Sequence, residues 1–202
     1  MCGLLIKEGD EKELVRLKVK DSKLLTKEIR EFLFDKIKGV SLKHKIVITG
    51  PQEIDKAVDG NEGMNLNRLE AQKSAEILNA LNPDKSIIDA PSNNIPNYKK
   101  YLAGFVKNKD MEIVLEHKAD VNYPVVSAAS ILAKVTRDNE IEKIKKRIGI
   151  DFGSGYMSDS RTVEFLKENF EKFPGLFRKS WLPYKNLVNQ KFQKSLFDFK
   201  HL

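Results

Sequence analysis

The chain has 202 residues, 32% of them charged, a net charge of +7 and a pI near 9.3. That length carries one domain with a sizeable core, or a domain with a small appendage. The basic balance favours an anionic partner, nucleic acid first, although a mixed-sign surface also fits an ordinary soluble protein rich in lysine. A lone cysteine, Cys2, excludes an internal disulfide and fits a reducing cytoplasm, and no apolar run is long enough to span a membrane.

The first six residues, MCGLLI, read as a β-strand, too short and without the basic leader of a signal peptide. A chain opening directly on a strand suggests that something upstream is missing. Residues 7–16 are a short exposed helix or loop leading to the turn KVKDSK at 18–23. A helix from about Thr26 to Ile37 has Ile29, Leu33 and Ile37 along one side. Ile46, Val47 and Ile48 form the next strand, closed by Gly50 and Pro51, and Pro51 opens a short helix through Ala57. After the loose segment VDGNEGMN, Asn65 suits the N-cap of a helix to about Leu81.

Asn82 and Pro83 end that helix, and Lys85 to Asp89 is a strand that stops on a carboxylate. The turn APSNN and a helix through about Val106 lead to a strand over Met111 to Leu115 and a charged turn with His117, Lys118 and Asp120. Pro124 then opens a long helix, in which Ala128, Ile131, Leu132 and Val135 recur at three- and four-residue spacing until Gly149. The glycine-rich turn DFGSGYMSDS, a helix over Arg161 to Phe173 and a helical end from Trp181 complete the chain. Strands alternating with helices predict an α/β fold.

Asp89 and Asp120 each follow an apolar strand, so neighbouring strands can bring the two carboxylates together. Such a pair repels unless a cation lies between, and hard oxygen ligands suit magnesium or manganese, which would activate water against a phosphodiester. The plainer alternative is that each aspartate caps its own turn. Lys23, Lys118, Lys134 and Arg137 sit on or beside these turns, as phosphate contacts or as ordinary solvated cations. On the long helix Lys134 and Asp138 form either a surface ion pair or part of a ligand site. Tyr156, set among glycines, either stacks on a sugar or base or covers the core edge under its loop. His44, His117 and His201 are too scattered for a zinc site, and Cys2 suits a buried strand better than a nucleophile.

Taken in order, KDSK, MNLNRLEA, IIDA, EHKADVNYPVVSAASILAKVTRD and FGSGYMSD resemble the archaeal and eukaryotic branch of ribonuclease HII, from about Cys2 to Trp181. The resemblance implies an RNase H-like α/β fold: a five-stranded mixed sheet flanked by helices, with a C-terminal helical appendage. It divides the chain into a catalytic domain over 1–149 and a helical region over 150–202. It also implies metal-dependent endonucleolytic cleavage of RNA in RNA–DNA hybrids, including single ribonucleotides embedded in DNA, with magnesium or manganese as cofactor and a monomeric, cytoplasmic enzyme. By position, Asp89 and Asp120 match the third and fourth carboxylates of the family's metal site, and Tyr156 matches the tyrosine that packs on the ribose at the RNA–DNA junction. Ser22, Lys23 and Lys118 match polar and basic positions near the nucleic-acid backbone; Lys134 and Asp138, read from the long helix alone, are candidate supports of the site. Met157 stands where the family has proline, which predicts a looser turn.

Two features sit at the ends. Family members open with a strand running into Asp-Glu-Ala-Gly-Arg-Gly, the source of the first two metal carboxylates. That motif is absent here, so the first strand, central in this fold, is expected to be missing. An endonuclease shortened at its N-terminus, or an inactive hybrid-binding relative, both follow from this. In the tail, Gln193, Leu196 and Phe199 have the spacing of a sliding-clamp-binding peptide, although Lys200 replaces its second aromatic; a terminal amphipathic helix is the alternative.

Overall fold

The structure is a computed structural model that describes residues 1–19, 25–60 and 63–199. The chain separates into two compact units, Met1–Ile48 with Asn67–Glu140, and Thr49–Leu66 with Ile141–Leu202. The helix after Pro51 groups with the C-terminal residues, and the division falls inside the long helix.

In the first unit, β1 (Cys2–Leu5) pairs antiparallel with β2 (Lys43–Ile46), Cys2 opposite Ile46 and Leu5 opposite Lys43. β3 (Lys85–Asp89) pairs parallel with β4 (Glu112–Glu116), and Asp89 stands opposite Glu116. Among the described residues these are two separate two-stranded sheets, with β1 and β3 sharing no ladder. The described residues thus form two strand pairs in place of the one five-stranded sheet that the resemblance implies.

Helices fill in around the strands. After a 3-10 turn at Glu8–Asp10 and α1 (Glu11–Arg16), α2 (Lys27–Val40) begins where the Thr26 hydroxyl accepts the Ile29 N–H at 3.4 Å. α4 (Leu66–Leu81) carries two apolar faces. Ala71, Ala75 and Leu78 pack with Tyr98 and Leu102 of α5 (Ile95–Phe105) and Ile113 of β4. Ile77 and Leu81 pack with Leu5 and Val47. Gly3 of β1 lies so close to α4 that a Cβ there would stand 2.2 Å from Ile77 Cγ2. A third cluster joins Leu33 and Ile37 of α2 to Ala128, Ile131, Leu132 and Val135 of α7 (Pro124–Ile148), with Cys2, Leu4 and Ile6 against it. This is the apolar face that the spacing on the long helix predicts. Pro124 opens α7, and Gly149, at φ +71°, closes it in the left-handed conformation glycine favours.

The second unit is assembled from distant stretches. α3 (Pro51–Asp59) is held by Asp55, whose carboxylate accepts the Lys179 and Ser180 N–H groups at 2.9 Å and the Ser180 hydroxyl at 2.7 Å. Gln52 donates to Gly175 O at 2.8 Å, and Lys185 pairs with Asp59 at 3.2 Å. The Phe165 ring of α8 (Ser160–Asn169) stacks on Phe152 with centroids 4.8 Å apart and meets Phe173 and Phe177 at 6.1 and 5.6 Å. α9 (Leu182–Phe199) ends the described chain.

Candidate functional site

The parallel pair β3 and β4 ends on a group of polar residues. Asp89 closes β3 in an exposed position, and its Oδ1 accepts the Ala119 N–H at 3.2 Å. Ala119 opens the short helix α6 (Ala119–Asn122), so the residue next to Asp120 is bonded to the Asp89 carboxylate. The two aspartates picked from the sequence are thereby brought to one end of one sheet. Asp120 is 8% exposed.

The α6 turn is held from several sides. Lys118 precedes it in the left-handed conformation, φ +59°, which lets the chain reverse directly after β4 and leaves the Lys118 side chain exposed. Glu116, the last residue of β4, accepts Asn122 Nδ2 on one oxygen and the Tyr123 hydroxyl on the other, the latter at 2.9 Å. The Glu116 hydrogen bond pushes the Tyr123 hydroxyl above its ordinary pKa. The Ser127 hydroxyl donates to the Asp120 carbonyl, and His117 Nδ1 lies 3.2 Å from Ala90 O. The sequence predicts a strand ending at Leu115 and gives no signal for Glu116. One further strand residue puts it level with Asp89.

Two carboxylates of this kind fit a hard divalent cation, since magnesium is usually held by one or two carboxylates and keeps several waters. Among the described residues no group of three or more His, Cys, Asp or Glu side chains is arranged around a common metal position.

Lys134 and Asp138 are ion-paired at 2.7 Å, and the pair is larger than the sequence predicts. Asp138 also meets Arg137 at 3.2 Å and Arg30 of α2 at 3.6 Å, with its side chain 20% exposed. Burial raises the pKa of this carboxyl, but the hydrogen bonds from Lys134 and Arg137 outweigh burial and hold it below its ordinary value. Arg30 gives no local signal, because its partner lies 108 positions along the chain. Ser22 and Lys23 lie outside the described residues.

In the second unit Tyr156 is 45% exposed on the turn before α8. Asp159 caps that helix and also accepts the Ser154 N–H at 2.8 Å and the Arg161 guanidinium at 3.3 Å. The Ser154 N–H first, and Arg161 second, pull its pKa down to about 2. The Gly155 N–H donates to Thr162 Oγ1, which donates in turn to Phe152 O, so the turn with Met157 at the family's proline position is fastened through its backbone. At the C-terminus Gln193 is exposed on α9, and the side chains of Leu196 and Phe199 lie outside the described residues. Cys2 is half-buried, and burial pushes its thiol up to about 11, which suits a packing residue and not a nucleophile.

A family model described as ribonuclease HII matches residues 1–183. A ribonuclease HII of Pyrococcus furiosus is 44% identical over 181 residues, which cover 85% of this chain and 77% of that protein. Among solved structures, the ribonuclease H2 of Pyrococcus horikoshii superposes with TM-score 0.80 at 37% identity, covering 92% of this chain and 87% of the other. A PCNA:RNase HII complex from Archaeoglobus fulgidus gives TM-score 0.77 at 35% identity, with coverage of 92% and 86%.

Proposed function

The chain belongs to the ribonuclease HII family, enzymes of the ribonuclease H type with an RNase H-like fold, and on that premise we propose that it is an endonuclease that cuts the RNA strand of RNA–DNA hybrids, including single ribonucleotides embedded in DNA. Products carry a 5′-phosphate and a 3′-hydroxyl. The observation that carries the reading is the bond from the Ala119 N–H to Asp89, which ties the carboxylate at the end of β3 to the α6 turn that carries Asp120. Ribonucleases H depend on divalent metal; magnesium or manganese held by Asp89 and Asp120 would supply charge stabilisation at the phosphodiester and an activated water.

The remaining work falls to other side chains. Lys118, exposed beside Asp120, meets a backbone phosphate, and Ser22 and Lys23 serve the same strand. Tyr156 stacks on the ribose at the junction. Lys134 and Asp138 support these contacts through their ion pair. The tail with Gln193, Leu196 and Phe199 binds a sliding clamp, a reading supported by the Archaeoglobus relative solved with PCNA. The protein acts as a cytoplasmic monomer in DNA repair and replication. No described helix is long and apolar enough to cross a membrane.

A second reading rests on a specific observation. The sequence has no Asp-Glu-Ala-Gly-Arg-Gly motif, and no described cluster offers three metal-binding side chains. On this reading the 202-residue chain binds hybrids without cutting them. Cleavage and binding measured side by side on hybrid and single-ribonucleotide duplexes, with magnesium or manganese, separate the two. Metal-dependent nicking that Asp120→Asn lowers on the order of a hundredfold or more supports the enzyme. Binding without nicking supports the binder. Absence of both sinks the whole assignment.

A further inference from the structure

The turn over residues 153–159 is more heavily fastened than a surface loop needs to be. Gly153 and Gly155 both adopt positive φ, +78° and +75°, so the chain folds back twice within three residues. A Cβ on Gly153 would stand 2.4 Å from Asp159 Oδ2, so that carboxylate occupies the space a side chain there would need. Asp159 Oδ2 takes the Ser154 N–H at 2.8 Å, and Oδ1 takes the Arg161 N–H at 3.1 Å. The Arg161 guanidinium closes on both oxygens, at 3.4 and 3.3 Å, and reaches Asp151 at 3.3 Å. The Asp159 N–H donates to Tyr156 O at 3.0 Å, and the Tyr156 N–H to Ser154 Oγ at 3.3 Å. The buried Thr162 hydroxyl holds the Gly155 N–H at 3.0 Å. Tyr156, in the middle of this turn, is 45% exposed.

An N-cap needs only one side-chain oxygen on an N–H of the first turn, and Asp159 supplies that through the Arg161 N–H. Its second oxygen acts backwards, on the chain before Tyr156. Both that bond and the close approach of Gly153 go beyond what capping α8 requires. The arrangement does prepare an aromatic ring for a partner, since a residue already held in its binding conformation loses less entropy on contact.

We propose that Asp159 is the positioning residue for Tyr156: its carboxylate, seated over Gly153 and tied to Ser154 and Arg161, holds the turn in the single conformation that presents the ring to a nucleotide sugar. The proposal rests on the reading that Tyr156 contacts the substrate. Asp159 touches neither substrate nor metal and acts through the tyrosine alone.

Two variants of the full chain test it. Asp159→Asn keeps the shape and removes the charge, while Asp159→Ser keeps a good cap for α8 but no second oxygen for Ser154. The first readout is chymotrypsin cleavage after Tyr156, identified by fragment mass. Both variants are expected to be cut there at least about tenfold faster, by local opening of the turn, with little change in thermal midpoint. The second readout is the preference for a DNA duplex with one ribonucleotide over the same duplex without it, measured for Asp159→Ser, Tyr156→Ala and the double variant. The double variant is expected to be no worse than Tyr156→Ala. Unchanged cleavage after Tyr156 in both variants overturns the proposal, as do additive losses of preference in the double variant. If Tyr156→Ala leaves the preference intact, the substrate role of the tyrosine fails, and the cleavage comparison still decides what Asp159 does to the turn.

Discussion

Replacing Asp138 by asparagine keeps its volume and deletes a carboxylate that contacts Lys134, Arg137 and Arg30 together. The contacts at 2.7 and 3.2 Å are charge-assisted hydrogen bonds, and the Arg30 contact at 3.6 Å is a looser ion pair. The four side chains are between 12% and 30% exposed, so the cluster lies between a buried network and a surface pair. Hydrogen bonds to charged groups contribute about 1.5–3 kcal/mol each, whereas exposed pairs contribute about 0.2–1 kcal/mol. We therefore expect Asp138→Asn to cost about 2 kcal/mol, a fall of about 4–8 °C in Tm for a chain of this size. Lys134→Met leaves the carboxylate two cations and should cost less than about 1 kcal/mol. Because the folded pKa of Asp138 is depressed, its contribution is present above the ordinary value of 3.8 and lost as pH falls through the folded value. The gap between wild type and Asp138→Asn should thus be constant near neutrality and close only below about pH 4. Thermal unfolding followed by circular dichroism, in low salt and in about 0.5 M NaCl, reads all three effects. A loss below about 0.5 kcal/mol, or one abolished by salt, would refute the reasoning and reduce the cluster to a surface pair.

Gly3→Ala should destabilise by about 1–3 kcal/mol in denaturant titrations, because its Cβ enters the space of Ile77 and Leu81; a neutral result would mean that α4 moves aside freely. Cys2, with its thiol near 11, should react with a disulfide reagent at pH 8 about a hundredfold more slowly in the native chain than in the unfolded one. Its raised pKa also gives a stability contribution that is complete below the ordinary value of 9.0 and lost as pH rises through about 11. Equal reaction rates in the two states would contradict its burial.

Much of the architecture is legible locally. Lys85 to Asp89 is a strand as read, Thr26 caps α2, Pro124 opens α7, and Gly149 closes it. What local pattern cannot supply is pairing. The apolar run Ile46, Val47 and Ile48 predicts a strand, yet the ladder to β1 draws in Lys43, His44 and Lys45 and stops at Ile46, because partner register decides which residues are extended. The same effect carries β4 on to Glu116, which hides that residue's place beside Asp89. The sequence predicts a helix to Phe173, but α8 ends at Asn169, and Phe173 beyond it meets the Phe165 ring. Asp89, Asp120 and Tyr156 could be picked because each lies on a strand end or a glycine turn. Arg30 could not, since its role is set by a partner on another helix.

The attachment of α3 bears on the order in which the protein is made. Asp55 is translated early, but the groups that receive it, Lys179 and Ser180, follow it by 124 and 125 positions. At about 5–20 residues per second, synthesis leaves α3 without its permanent neighbours for about 6–25 s. Its buried face, centred on Ala57, must wait in water or in temporary contacts for that interval. A ribosome that stalls before residue 180 would therefore present a chain whose first unit has most of its parts while an internal helix has nowhere to dock, the kind of exposed segment that chaperones and proteases sample. The helix that is finished early is fastened last.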